Sequence, residues 1–208
     1  MPRDSQATKA RFLEAASEEF AAYGIAGARV DRIAAAAGYN KNLIYVHFGS
    51  KEALFDAVFA RAAEELLNAV PITPDDLPGY AGALYDFYLA HPRLMRLARW
   101  HSLERPGAAE LLPVVIAANS AKVRAVAGAQ AQGRVDAGLP PQALLSLILS
   151  LAGTWSPGSP EALGEGQDPP EEIALRRHAI VLAVGRLTRP PTAPAASAAP
   201  AASAAGEE

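Results

Sequence analysis

Cysteine is absent from this 208-residue chain. Disulfides, thiolate metal sites and cysteine nucleophiles are thereby excluded, and the absence suits a reducing compartment without requiring one. Lysine is nearly absent too: Lys9, Lys41, Lys51 and Lys122 are the only four, and three of them lie within the first 51 residues. Long apolar runs are lacking. The longest uncharged stretch, 137–160, opens on Pro140-Pro141 and carries Gln142, Ser146, Ser150 and Thr154. Its apolar part is about half the length of a membrane span, so a buried helix is expected there and no membrane partner. Met1 to Lys9 is polar with no apolar core, so no secretory leader is expected, and the expected location is cytoplasmic. Strand-like alternation is missing throughout, which leaves an all-α chain.

Half of the residues are hydrophobic and a fifth are charged, a normal globular balance. The net charge of −3 does not mark a nucleic-acid binder. Its distribution says more. From Gly38 to Lys51 there are two lysines and His47 and no acidic residue. A locally positive edge on a mildly acidic body is compatible with a DNA reader, although four lysines can also cluster by chance.

The breaks between helical segments are short clusters of Gly, Pro and Asn. Residues 1–7 read as a flexible arm. Thr8 is placed to cap a first helix with Phe12, Leu13, Ala16 and Phe20 on one face, ended by Gly24. A short second helix, about 30–37, carries Val30, Ile33, Ala34 and Ala37 on one side. Gly38-Tyr39 turns, Asn40 caps, and a third helix covers about 41–48. Ser50 caps a fourth helix that reaches about Val70, with Glu52 in its first turn. Beyond the proline-rich 71–78 come helices at about 80–90, 93–104, 109–136, 142–154 and 171–188. The tail from Pro190 is Pro, Ala and Ser with two terminal glutamates, too polar and too simple to order itself.

Two short helices joined by a glycine turn form the helix-turn-helix layout. Gly38 can take the left-handed conformation that stops the second helix and swings the third across it. Ile33, Ala34 and Ala37 are small or apolar enough for close crossing. Ile44 and Phe48 give the third helix an inward face, which leaves Lys41, Asn42, Leu43, Tyr45 and His47 near the outside. Lys41 and Asn42 suit base edges or phosphate, Leu43 a thymine methyl, Tyr45 and His47 phosphate oxygens. Lys51 is within reach of a phosphate. Taken singly, each of these reads rather as a residue on a solvated helix face.

The stretch Gly38-Tyr39-Asn40-Lys41-Asn42-Leu43-Ile44-Tyr45-Val46-His47-Phe48-Gly49-Ser50-Lys51-Glu52-Ala53-Leu54 resembles the TetR-family DNA-binding signature. That signature runs from a glycine turn through a leucine–tyrosine pair and His-Phe to Ser-Lys-Glu-x-Leu. The resemblance spans about residues 8–66, with Phe20, Gly24, Val30, Ile33 and Ala34 at the upstream core positions. It implies an N-terminal three-helix, homeodomain-like helix-turn-helix domain followed by a helical ligand-binding and dimerisation domain. It also implies a homodimeric repressor of a double-stranded DNA operator, released by a small-molecule effector. Domain bounds are then an arm at 1–7, the DNA-binding unit at 8–50, the effector and dimer unit at 51–189, and the tail at 190–208. Three departures stand out. Ala28-Arg29 replaces the usual Thr or Ser cap of the second helix, and Arg29 is a candidate phosphate contact in compensation. Asn42-Leu43 replaces Gly-Thr, and Val46 replaces a frequent aromatic. The DNA-contact set is therefore Arg29, Asn40, Lys41, Asn42, Leu43, Tyr45, His47 and Lys51.

In the C-terminal part, Tyr85, Tyr88, Met95, Trp100, His101 and Trp155 are candidates for the effector pocket, with ordinary core packing as the alternative for each. Arg93, Arg96, Arg99 and Arg105 are candidates for greeting an anionic effector, and the first three, spaced by three on one helix, are equally a solvated stripe. The apolar excess of the last two helices favours a two-fold four-helix interface built from Leu144, Leu147, Ile148, Leu151, Ile173, Ile180, Val184 and Leu187, against burial within the subunit. The histidines show no ligand spacing, so no metal and no cofactor are expected. A helical module that has lost DNA binding and a small helical enzyme are the rival functions. The enzyme would need a convergent acid, base or nucleophile, and no such spacing is present.

Overall fold

Four glycines with positive φ punctuate the backbone of the computed structural model, which describes residues 2–105, 113–157, 159 and 168–191. The described residues form α1 (Pro2–Gly27), α2 (Val30–Ala37), α3 (Asn42–Phe48), α4 (Lys51–Ala69), α5 (Leu77–Ala90), α6 (Pro92–Glu104), α7 (Pro113–Ala131), α8 (Pro141–Gly153) and α9 (Pro170–Thr188). The all-helical expectation holds, with boundaries shifted by a few residues. The tail from 192 onward and most of the 156–170 loop fall outside the described residues.

One expectation at the N-terminus is corrected. Residues 2–7 continue α1 rather than forming an arm, so Thr8 lies buried inside the helix and does not start it. Gly24 interrupts the helix where the sequence places its end: with φ 68° and ψ −173° the chain leaves the helical path, and a short second helical piece runs on to Gly27.

Two apolar cores account for the packing. The first gathers Phe12, Ala16 and Phe20 of α1, Ile33 and Ala37 of α2, Ile44 of α3, and Leu54, Phe55 and Val58 of α4, with Leu97 of α6 entering from outside. Phe20 meets Phe55 edge-on at 5.2 Å, an arrangement that adds to plain burial. The second core joins Tyr80, Leu84, Tyr85 and Tyr88 of α5 to Val126 and Ala129 of α7, Leu144 and Ile148 of α8, and Ile180 and Val184 of α9. Ala62 of α4 borders both cores, so α4 is the rod that joins them.

Candidate nucleic-acid interface

The turn that presents α3 is a Schellman motif. Gly38, at φ 78° and ψ 27°, caps α2. Its N–H donates to Ala35 at 3.2 Å, and the Tyr39 N–H donates to Ala34 at 3.0 Å. A side chain at Gly38 would have room but would have to adopt a left-handed backbone that only glycine takes cheaply. Asn40 then turns the chain into α3, its Oδ1 accepting from the Asn42 N–H at 2.9 Å. The helix proper begins one residue later than the expected Lys41, while the capping role of Asn40 is kept.

α3 uses Ile44, fully buried, and the half-buried Phe48 to sit on Phe12, whose ring lies 6.4 Å from that of Phe48. The opposite side is open. Asn40, Lys41, Asn42, Tyr45 and Val46 are exposed, with Tyr45 at 49% and Val46 at 75%. His47 is half-buried at the edge, 6.3 Å from the Phe12 ring. Leu43 is half-buried and packs in part against the N-terminal core. Val46, which the sequence reading passed over as a missing aromatic, is the apolar side chain that faces out.

Charge around this face is partly tied down. The Lys41 ammonium pairs with Asp31 of α2 at 2.9 Å, both side chains being well exposed, and the hydrogen bond to Asp31 raises its pKa. Lys51 spends one donor on the Ala28 carbonyl at 3.3 Å, which holds its ammonium at the corner between α1 and α2. Arg29 is exposed and occupies the N-cap of α2 without a side-chain cap of its own. Glu19 of α1 supplies the missing acceptor, taking the Arg29 N–H at 2.8 Å and the Arg32 Nε at 2.7 Å. Burial alone would raise the Glu19 pKa. The hydrogen bonds from Arg32 and the Arg29 backbone, with the charge of Arg32, outweigh it and lower it.

This N-terminal helical unit is fastened to α6. Trp100 Nε1 donates to the Ala21 carbonyl at 3.3 Å and Glu104 accepts the Ala26 N–H at 2.8 Å, on either side of the Gly24 bend. Arg93 holds Glu14 and Glu18 at 2.9 and 2.8 Å. Arg105 holds Asp56 of α4 at 2.6 Å.

The expected effector residues divide. Tyr88 and Met95 line a cavity of about 200 Å³ together with Phe59, Leu66, Val115 and Lys122. Tyr85 is fully buried in the second core. Trp100 belongs to the α1–α6 seam just described. His101 stacks on Phe59 at 4.3 Å, behind that wall of the cavity, with its Nε2 unpartnered among the described residues; burial lowers its pKa. Trp155 is half-buried with the Arg176 guanidinium 5.9 Å from its ring. Lys122 went unassigned in the sequence, because a lone lysine in an alanine-rich helix reads as solvated. Its register with the buried Val126 and Ala129, at i, i+4 and i+7, is the signal that could have found it.

The interface residues divide as well. Leu144, Ile148, Ile180 and Val184 are buried in the second core of the same subunit and cannot touch a partner. Both α8 and α9 are apolar on more than one face, so periodicity did not say which face turns in. Leu151, Ile173 and Leu187 are half-buried against that core. Leu147 faces outward at 43% exposure, joined by Leu175 at 62% and Leu182 at 42%. Among the described residues no group of three or more His, Cys, Asp or Glu is placed to hold a metal ion, and no helix is long and apolar enough to cross a membrane.

Comparison with known proteins places these features in context. Residues 12–58 match the family described as bacterial regulatory proteins, tetR family, and residues 76–186 match the tetracyclin repressor-like C-terminal domain. The HTH-type transcriptional repressor SCO4008 of Streptomyces coelicolor is 44% identical over 156 residues, covering 74% of this chain and 80% of that protein. The HTH-type transcriptional repressor NicS of Pseudomonas putida is 29% identical over 105 residues, 47% of this chain and 50% of its own. Among solved structures, SCO4942 from Streptomyces coelicolor, of the transcriptional-regulator class, superposes with a TM-score of 0.74 at 41% identity, over 88% of this chain and 99% of its own. A TetR family regulator from Marinobacter aquaeolei VT8 shares the fold, with a TM-score of 0.67 at 20% identity over 92% and 100% of the two chains.

Proposed function

The chain belongs to the TetR family of bacterial regulatory proteins, and from that premise we propose how it reads and releases its operator. It is a DNA-binding transcriptional repressor rather than an enzyme. The observation that carries the reading is the outward face of α3, where Asn42, Tyr45 and Val46 stand clear of the protein. Asn42 pairs with an adenine edge, Val46 meets a thymine methyl, and Tyr45 with Lys41 and Arg29 takes phosphate oxygens. Lys51 and Asn40 then serve mainly to hold the corner and the cap.

Two subunits associate through the outward residues of α8 and α9, Leu147, Leu175 and Leu182 with the edge of Leu151, in a two-fold four-helix arrangement. The two α3 helices then enter successive major grooves of a near-palindromic site, with half-site centres about 10 base pairs or a multiple of that apart. A small molecule in the α4–α8 cavity releases DNA by favouring a different separation of the two heads. It can do so only through unequal affinity for the two separations. Acting on the chromosome places the protein in the cytoplasm.

Binding to duplexes selected from random sequence, at two salt concentrations, tests the proposal. Retention of an inverted repeat that weakens steeply with salt supports it. Absence of duplex binding at low salt removes it.

A further inference from the structure

Lys122 lies on the buried face of α7 with only 8% of its surface exposed, in register with Val126 and Ala129. It lines the cavity of about 200 Å³ whose other walls include Phe59, Leu66, Tyr88, Met95 and Leu149. Among the described residues no other charged side chain lines this cavity. Among the described residues no carboxylate lies within ion-pair distance of its ammonium, and its contact there is the ring of Tyr80 at 5.7 Å. A buried ammonium without a counter-charge is expensive, and in proteins such a charge is normally paired. Burial accordingly lowers its pKa.

Resting on the reading of this cavity as the effector site, we infer that the effector is a small apolar monoanion whose carboxylate pairs with Lys122. Tyr88 lines the same cavity. Burial pushes its hydroxyl up to about 12, so it stays protonated and is a second donor for the acid group. The size of the space limits the skeleton. A dry cavity of roughly 150 Å³ holds a benzene ring, so this one takes a single ring or a short branched chain bearing the acid. Phe59 and Tyr88 give the ring aromatic faces, and Met95 adds an adaptable thioether wall.

The test uses the purified full-length protein and two matched pairs: phenylacetate against phenylacetamide, and 3-phenylpropanoate against 3-phenylpropanamide. Calorimetric titration should show the acids binding about tenfold or more tighter than the amides, the scale of a charge-assisted hydrogen bond. Lys122→Met should erase that gap, Lys122→Arg should keep most of it, and Lys122→Met should melt no lower than wild type because it removes a buried unpaired charge. Equal binding of acid and amide, a preference for acid that survives Lys122→Met, or no binding of either series overturns the anion assignment. The cavity itself is judged separately at Ala98, which also lines it, by Ala98→Leu and Ala98→Trp, which fill it. Acid binding that survives both substitutions in folded protein removes the cavity from its role as effector site.

Discussion

Gly24 of α1 sits directly beneath the indole of Trp100 in α6: a Cβ placed on this glycine would come within 2.8 Å of the ring and would also strike the Glu104 carboxylate. The same two residues hold the backbone on either side of the bend, through Ala21 and Ala26. The bend therefore joins the reading head to the helix that carries Met95, so a change at the cavity has a short mechanical path to α1.

Gly24→Ala tests that joint. The substitution forces a side chain into φ 68° and against Trp100. A side chain in this glycine-only backbone region costs about 1–3 kcal/mol and overpacking about 1–3 more. A chemical-denaturation curve should lose about 2 kcal/mol or more, and wild-type stability would contradict the packing described.

Asp31→Asn tests the electrostatics of α3. The exposed Asp31 carboxylate occupies the Lys41 ammonium at 2.9 Å, and a phosphate has to compete for it. Freeing Lys41 should raise affinity for any duplex by roughly three- to tenfold at low salt. The rank order of sequences should stay the same. Fluorescence anisotropy on two unrelated duplexes measures both.

Much of the DNA-reading unit was legible because each device is local. Gly38 followed by Asn40 announces a left-handed stop and a new cap within three residues, and Ile44 with Phe48 announces the inward face. The substitute cap of α2 was not legible. Glu19 stands ten residues before Arg29 on another helix, and only the fold brings its carboxylate to the Arg29 N–H. The same holds for Leu43 and Val46, where residue type favoured the leucine as the outward apolar contact and the rotation of a seven-residue helix favoured the valine. In α8 and α9 apolar residues occur on every face, so the pattern identified burial without direction. Trp100 was legible as an aromatic beyond the helix-turn-helix but not as a partner of Gly24, 76 positions away in sequence.

Glu19→Gln gives a pH signature. The hydrogen-bonded carboxylate has a pKa below its ordinary value of 4.5. Its contribution to stability is therefore complete above that ordinary value and disappears as pH falls through the lowered folded value. At neutral pH the substitution should cost about 1 kcal/mol, the usual scale for a lost N-cap interaction. Thermal melts of wild type and variant should converge as the solution is acidified. A constant difference across that range would show that Glu19 is not ionised in the cap.

Leu182→Glu addresses assembly. Leu182 is 42% exposed on α9 and Leu147 is 43% exposed on α8. In a two-fold interface the carboxylate is introduced twice, once from each subunit, which doubles the penalty. Sedimentation should shift from dimer to monomer with the helical content kept, while Leu175→Ser should weaken the dimer less. A dimer undisturbed by Leu182→Glu would place the interface elsewhere.

The central claim is that the outward face of α3 reads base sequence. Selection of bound duplexes from a random library, run in parallel with wild type, Tyr45→Ala and Val46→Ala, tests it most directly. The account predicts that wild type enriches an inverted repeat, that Tyr45→Ala weakens binding to that repeat by roughly tenfold or more, and that Val46→Ala relaxes the preference at one thymine in each half-site at about 1–3 kcal/mol per position. Identical enrichment by all three proteins, at the same affinity, would contradict it.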